Sequence, residues 1–71
     1  MPRADATGVR VDALVRELSH VLEGAGISES GREASDIVAA LQDAPRFWAA
    51  AHHEETLPEA FAHEARAAAH R

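Results

Sequence analysis

The segment Ala25-Gly26-Ile27-Ser28-Glu29-Ser30-Gly31-Arg32-Glu33-Ala34-Ser35-Asp36-Ile37-Val38 closes one amphipathic helix, turns the chain and starts another. Upstream of it, Val11, Leu14, Val15, Leu18, Val21, Leu22 and Ala25 recur at the spacing of a single helix face. Arg10, Asp12, Arg16, Glu17, His20 and Glu23 fall mostly on the opposite side. This pattern predicts a helix from about Val9 to Glu23, with Asp12 and Arg16 spaced as an i, i+4 ion pair. Gly24 and Gly26 both suit the left-handed position beyond a helix C-terminus, and Ile27 follows where an apolar side chain packs back on the last turn. Ser30 and Glu33 have capping-box spacing for the second helix, with Ser28 a rival cap. Ala34, Ile37, Val38 and Leu41 form its apolar stripe, and Gln42-Asp43 ends it.

Composition bounds how large a core such helices can build. The chain has 71 residues, of which 46% are hydrophobic, but much of that share is alanine. Alanine favours helix and adds little core volume. A chain of this length buries only about 60–65% of its unfolded surface, so one small core of marginal stability is expected. There is no room for a large cofactor cavity. There is no cysteine, hence no disulfide framework or thiolate metal site. The net charge of -5 argues against nucleic-acid binding and permits docking on a basic protein surface. No apolar run approaches the roughly 18 residues of a membrane span, and the N-terminus lacks a signal-peptide pattern. A cytoplasmic protein is expected.

Residues 1–8 are small and polar without a period, and are expected to be a disordered N-terminal segment ahead of a helical domain over 9–71. Asp43-Ala44-Pro45 reads as an N-cap followed by proline in a first turn. It would introduce a short third helix, Arg46 to about Ala51, with Phe47, Trp48 and Ala51 available to the core. His52-His53-Glu54-Glu55 is a polar connector. Thr56-Leu57-Pro58-Glu59 repeats the capping-box logic, and Leu57, Phe61, Ala65, Ala68 and Ala69 stripe a fourth helix toward Arg71. There are no repeats and no alternating β-branched runs. The expected fold is all-α, a small bundle of four to five short antiparallel helices.

Residues able to carry chemistry are few. Adjacent His52 and His53 would point about 100° apart on a helix and rarely hold one ion. His63 and His70 lie two turns apart, and Glu59–His63 offers at most a weak pair. Solvated surface histidines are the alternative. Glu54, Glu55, Glu59 and Glu64 would need a cleft to act as acid or base, and otherwise serve solubility and the fourth helix's positive end. No nucleophile elbow or phosphate-binding glycine loop is present. No catalytic, cofactor or metal residue is therefore expected in this chain. Phe47 and Trp48 are adjacent and cannot face the core equally. They read either as an aromatic anchor for a partner or as filling for a thin core. Arg32 and Arg46 open helices where positive charge is disfavoured, so each pairs with a neighbouring carboxylate or contacts a partner.

From Leu14 to Arg71 the chain resembles the N-terminal helical domain of the protein-(glutamine-N5) methyltransferases that modify peptide chain release factors. The resemblance rests on Ala25-Gly26-Ile27-Ser28-Glu29-Ser30, then Arg32-Glu33-Ala34 and Ile37-Val38, Arg46-Phe47-Trp48, Thr56-Leu57 and His70-Arg71. Gly31, and Ala39-Ala40 in place of leucine, depart from the family pattern. The resemblance implies a non-catalytic domain that helps dock the release factor. A separate C-terminal domain would bind S-adenosylmethionine and transfer the methyl group, and none of its residues maps onto this chain. Arg32, Arg46, Trp48, His52, His53, Glu54 and Glu55 are the partner-binding candidates. The alternatives are a free-standing helical adaptor or small homodimer, and a small metal-binding protein using the histidines.

Overall fold

The computed structural model describes residues 8–45 and 47–70. Its longest element is α1 (Val11–Gly24), which buries Val11, Leu14, Leu18 and Leu22. The predicted stripe holds, except that Ala25 lies exposed just past the helix. The turn after α1 is a Schellman motif. Gly26 takes a left-handed φ of 90°. Its N–H donates to the Glu23 carbonyl at 3.0 Å, and the Ile27 N–H donates to the Leu22 carbonyl at 3.0 Å. Gly26, not Gly24, is thus the left-handed glycine.

The chain then returns as α2 (Ser30–Leu41), packed along α1. The expected capping box does not form. Glu29 occupies the N-cap position without a side-chain cap bond, and Ser30 is already helical. Starting one residue early moves Glu33 a place further into the helix, and its N–H bonds the Glu29 carbonyl at 3.0 Å. At the other end, Asp43 does not start a new helix. It closes α2 in a second Schellman motif, with φ 56°. The Asp43 N–H donates to the Ala40 carbonyl at 3.0 Å and the Ala44 N–H to the Ala39 carbonyl at 2.9 Å. An aspartate here adopts a conformation that glycine would take at lower cost. The third helix shrinks to one turn, α3 (Trp48–Ala51), with Phe47 at its N-cap. Arg46 and Arg71 lie outside the described residues, as do residues 1–7 of the expected N-terminal segment.

The all-helical expectation omits a small sheet. Gly8–Arg10 form β1, which pairs antiparallel with β2 (Thr56–Pro58), Val9 opposite Leu57. Gly8 therefore belongs to the folded part, and Val9 and Arg10 are strand rather than helix. A proline pushes the preceding residue toward extended backbone and lacks an N–H. This places Leu57 in a strand and leaves Pro58 as the N-cap residue of α4, with φ −60° and ψ 150°. Thr56 consequently pairs in the ladder instead of capping a helix. A Cβ on Gly8 would come within 2.3 Å of the Thr56 Cγ2, so the strands meet closely at this position.

The last helix, α4 (Glu59–Ala69), buries Ala62, Ala65 and Ala69. Leu57 reaches the core from β2, and Ala62 joins the stripe that the sequence pattern left it out of. Arg66 of α4 meets Glu17 midway along α1, and both helices end around one groove. The two therefore run in the same sense, not antiparallel. The core is small, with Leu14, Leu18, Val11 and Val38 its largest fully buried side chains, set against Ala34, Ala62 and Ala65. Alanine at these contacts lets the helices approach, and α1's leucines supply the volume.

Asp43→Gly is expected to raise the thermal midpoint, by about 0.5–1 kcal/mol of stability, because it relieves the left-handed strain. Gly26→Ala should lower it by about 1 kcal/mol. Leu18→Ala should cost about 2–5 kcal/mol, enough to unfold much of a domain this small. Thermal melts followed by circular dichroism check all three.

Candidate functional site

The N-terminus of α1 abuts the 52–55 connector. The Val11 N–H donates to the Glu55 carbonyl at 2.8 Å and the Asp12 N–H to the His53 carbonyl at 3.0 Å. No side chain caps α1, so these carbonyls satisfy donors that would otherwise lack an intrahelical partner. The connector is held through its backbone, and the side chains of His53, Glu54 and Glu55 remain exposed.

One turn earlier, Trp48 is half-buried against the core. His52 follows it by four residues and stacks on the indole, with ring centroids 4.7 Å apart and planes at 16°. The His52 Nδ1 in turn contacts the Glu55 carboxylate. Phe47 is 71% exposed, the most open of the large apolar side chains among the described residues. The two aromatics thus divide their roles. Trp48 packs partly inward, and Phe47 stands in solvent beside it.

Of the partner-binding candidates, Trp48, His52, His53, Glu54 and Glu55 come together at this end of the bundle. Phe47 joins them. Its signal was its adjacency to Trp48, because one turn of helix with Ala49 inward cannot bury both. Arg32 sits apart, at the start of α2 and roughly 20 Å away along α1. It is exposed and bonded to Glu29 at 3.1 Å. Arg46, the remaining candidate, lies outside the described residues.

Five other charged groups, Arg10, Asp12, Glu17, Glu59 and Arg66, serve the scaffold. Asp12 binds Arg10 at 2.8 Å rather than the expected Arg16, because extended Arg10 lies beside it. This bond holds the Asp12 carboxyl below the ordinary aspartate range. Glu59 does not pair with His63. It accepts from Arg66 at 2.8 Å, and Arg66 also reaches Glu17 at 2.6 Å. The two carboxylates raise the guanidinium's pKa further. This three-member network ties α4 to α1. The sequence hid it because Glu17 and Arg66 are 49 positions apart.

A cavity of about 160 Å³ is lined by Asp12, Ser35 and His53 among others. No side-chain hydrogen bond joins these three, and the Asp12 carboxylate is engaged by Arg10. The trio therefore lacks the linked geometry of a serine nucleophile with its base. Among the described residues no group of three His, Cys, Asp or Glu side chains could hold a metal ion. No described helix is long and apolar enough to cross a membrane. No protein-family model matches the chain, and neither a curated protein nor a solved structure does.

Because the folded Asp12 pKa is depressed, its contribution to stability is present above the ordinary aspartate range. It fades as pH falls through the folded value. Arg10→Ala should move the Asp12 titration upward, as read from its carboxyl ¹³C shift against pH. The stability difference between the two proteins should vanish in acid.

Proposed function

We propose that this chain is a non-catalytic protein-docking domain whose contact surface is the Phe47–Trp48–His52 end of the bundle. The exposure of Phe47 beside the Trp48–His52 stack carries this reading. A solvent-facing phenyl ring is lost apolar burial for the free domain. Set next to a half-buried indole, it supplies the rigid aromatic anchor around which protein interfaces concentrate their energy. His53, Glu54 and Glu55 would form the polar rim.

The partner we infer is a peptide chain release factor, on the resemblance of residues 14–71 to the N-terminal domain of release-factor glutamine methyltransferases. In that reading a second domain binds S-adenosylmethionine and transfers the methyl group, and this one holds the substrate protein. Arg32 has no place on this surface, since it lies at the opposite end.

Calorimetric titration of the chain with a release factor tests the proposal. Phe47→Ala should weaken binding at least about tenfold, and Trp48→Ala likewise, with Arg32→Ala near neutral. Phe47 packs little, so its variant separates lost contact from lost folding. Unchanged affinity in a folded Phe47→Ala protein would reject the surface. A doubled mass in sedimentation that Phe47→Ala halves would favour the homodimer instead.

A further inference from the structure

His52 stands between α3 and the connector that docks on α1. Its ring lies nearly parallel to the Trp48 indole, with centroids 4.7 Å apart and planes at 16°. Its Nδ1 meets the carboxylate of Glu55, three residues on. Glu55 is also tied in through its backbone. Its N–H donates to the His52 carbonyl at 3.0 Å, and its carbonyl accepts the Val11 N–H at 2.8 Å. Glu55 thus links the imidazole on one side to the first turn of α1 on the other. The His52 side chain is 40% exposed, so protons reach it from solvent.

Both side-chain contacts respond to charge on the ring. An imidazolium over an aromatic face gains a cation–π attraction that neutral imidazole lacks. It also bonds a carboxylate more strongly, and the neutral ring donates from Nδ1 in only one of its two tautomers. An imidazole changes charge between about pH 5 and 8, where carboxylates are ionised. Neighbouring elements bring further charges to the connector. Arg10 of β1 lies within electrostatic range of Glu54, and Asp12 of α1 within range of His53. Arg10 and Asp12 are paired with each other. On α2, which packs on α3, Asp36 follows Ser35, which lines a cavity with Ala49, Ala50 and His53. Asp43 closes α2 ahead of α3.

We propose that His52 is a proton-operated clamp on the connector. Protonated, it binds the Glu55 carboxylate and the Trp48 face together and keeps the Glu55 carbonyl on the Val11 N–H. Neutral, it weakens both contacts, and the 52–55 segment loosens from α1. The ordered form is the acid one, so docking at the Phe47–Trp48 surface strengthens as pH falls. That last step rests on the docking function proposed above, whereas the clamp itself does not.

Two readouts on the free chain test the clamp. Trp48 is the one tryptophan, and a stacked imidazolium quenches indole emission. Emission should fall as pH is lowered from about 8 to about 5. His52→Gln should abolish the fall, and His53→Gln and Glu55→Gln should retain it. In ¹H–¹⁵N spectra the Val11 amide should move over the same range. That movement should be lost in both His52→Gln and Glu55→Gln and kept in His53→Gln. Both clamp side chains are substantially exposed, and unchanged far-UV circular dichroism shows each variant to be folded. A Val11 amide that stays in place, one that moves equally in His52→Gln, or emission indifferent to pH would overturn the proposal. Calorimetry with a release factor should give binding about threefold tighter at about pH 6 than at about pH 8, with most of the difference gone in His52→Gln. Equal binding at both pH values refutes the coupling of clamp to docking. No binding at either, with both free-chain readouts present, rejects the docking surface and upholds the clamp.

Discussion

Two backbone hydrogen bonds, from Val11 to the Glu55 carbonyl and from Asp12 to the His53 carbonyl, join residues that begin the fold to residues near its end. Much of the architecture follows from them. A helix N-terminus leaves N–H groups without intrahelical partners, and Arg10 at the N-cap offers no acceptor. The connector supplies the acceptors, so it must lie against α1. Once there, β2 falls beside β1, Leu57 turns into the core and α4 sets out along α1. The same docking presents the outer faces of His52–Glu55 to solvent.

The packing around this frame is economical. Alanines on α2, α3 and α4 meet the leucines of α1, so shape is set by close approach and volume by a few large residues. Such a core tolerates little loss. Arg66 adds a directional tie by placing one guanidinium between Glu17 and Glu59. Its partners are half-exposed and screened, so the network orients α4 more than it stabilises the fold. The two ends of the bundle differ as a result. One carries an exposed aromatic and a histidine stack, and the other an open groove with apolar walls.

Much of the helix pattern was legible. The Leu14–Leu18–Leu22 stripe, the Gly26 turn and the helix through Ala34 and Val38 follow from periodicity and backbone preference. Misreadings cluster at helix starts. Ser30 and Thr56 had the spacing of caps, yet α2 begins at Ser30 itself and Thr56 is drawn into the sheet. Asp43 resembled an N-cap because aspartate serves both roles, accepting amide bonds and tolerating left-handed backbone. A three-residue strand such as Gly8–Arg10 has too few positions to show a period. At the candidate site, the adjacency of Phe47 and Trp48 announced that one would be exposed. Which one depended on how α3 sits against the core.

The sequence by itself determined the elements whose causes are local: three amphipathic helices, a glycine-closed turn, a polar connector and the absence of cysteine chemistry. Only the tertiary structure decided what depends on residues distant along the chain. It paired β1 with β2, set α4 parallel to α1, gave Asp12 to Arg10 and Arg66 to Glu17, and left Phe47 in solvent. Periodicity states which face of a helix is apolar. Which neighbour covers that face, and which donors a distant carbonyl satisfies, is settled only when the whole chain competes for one small core.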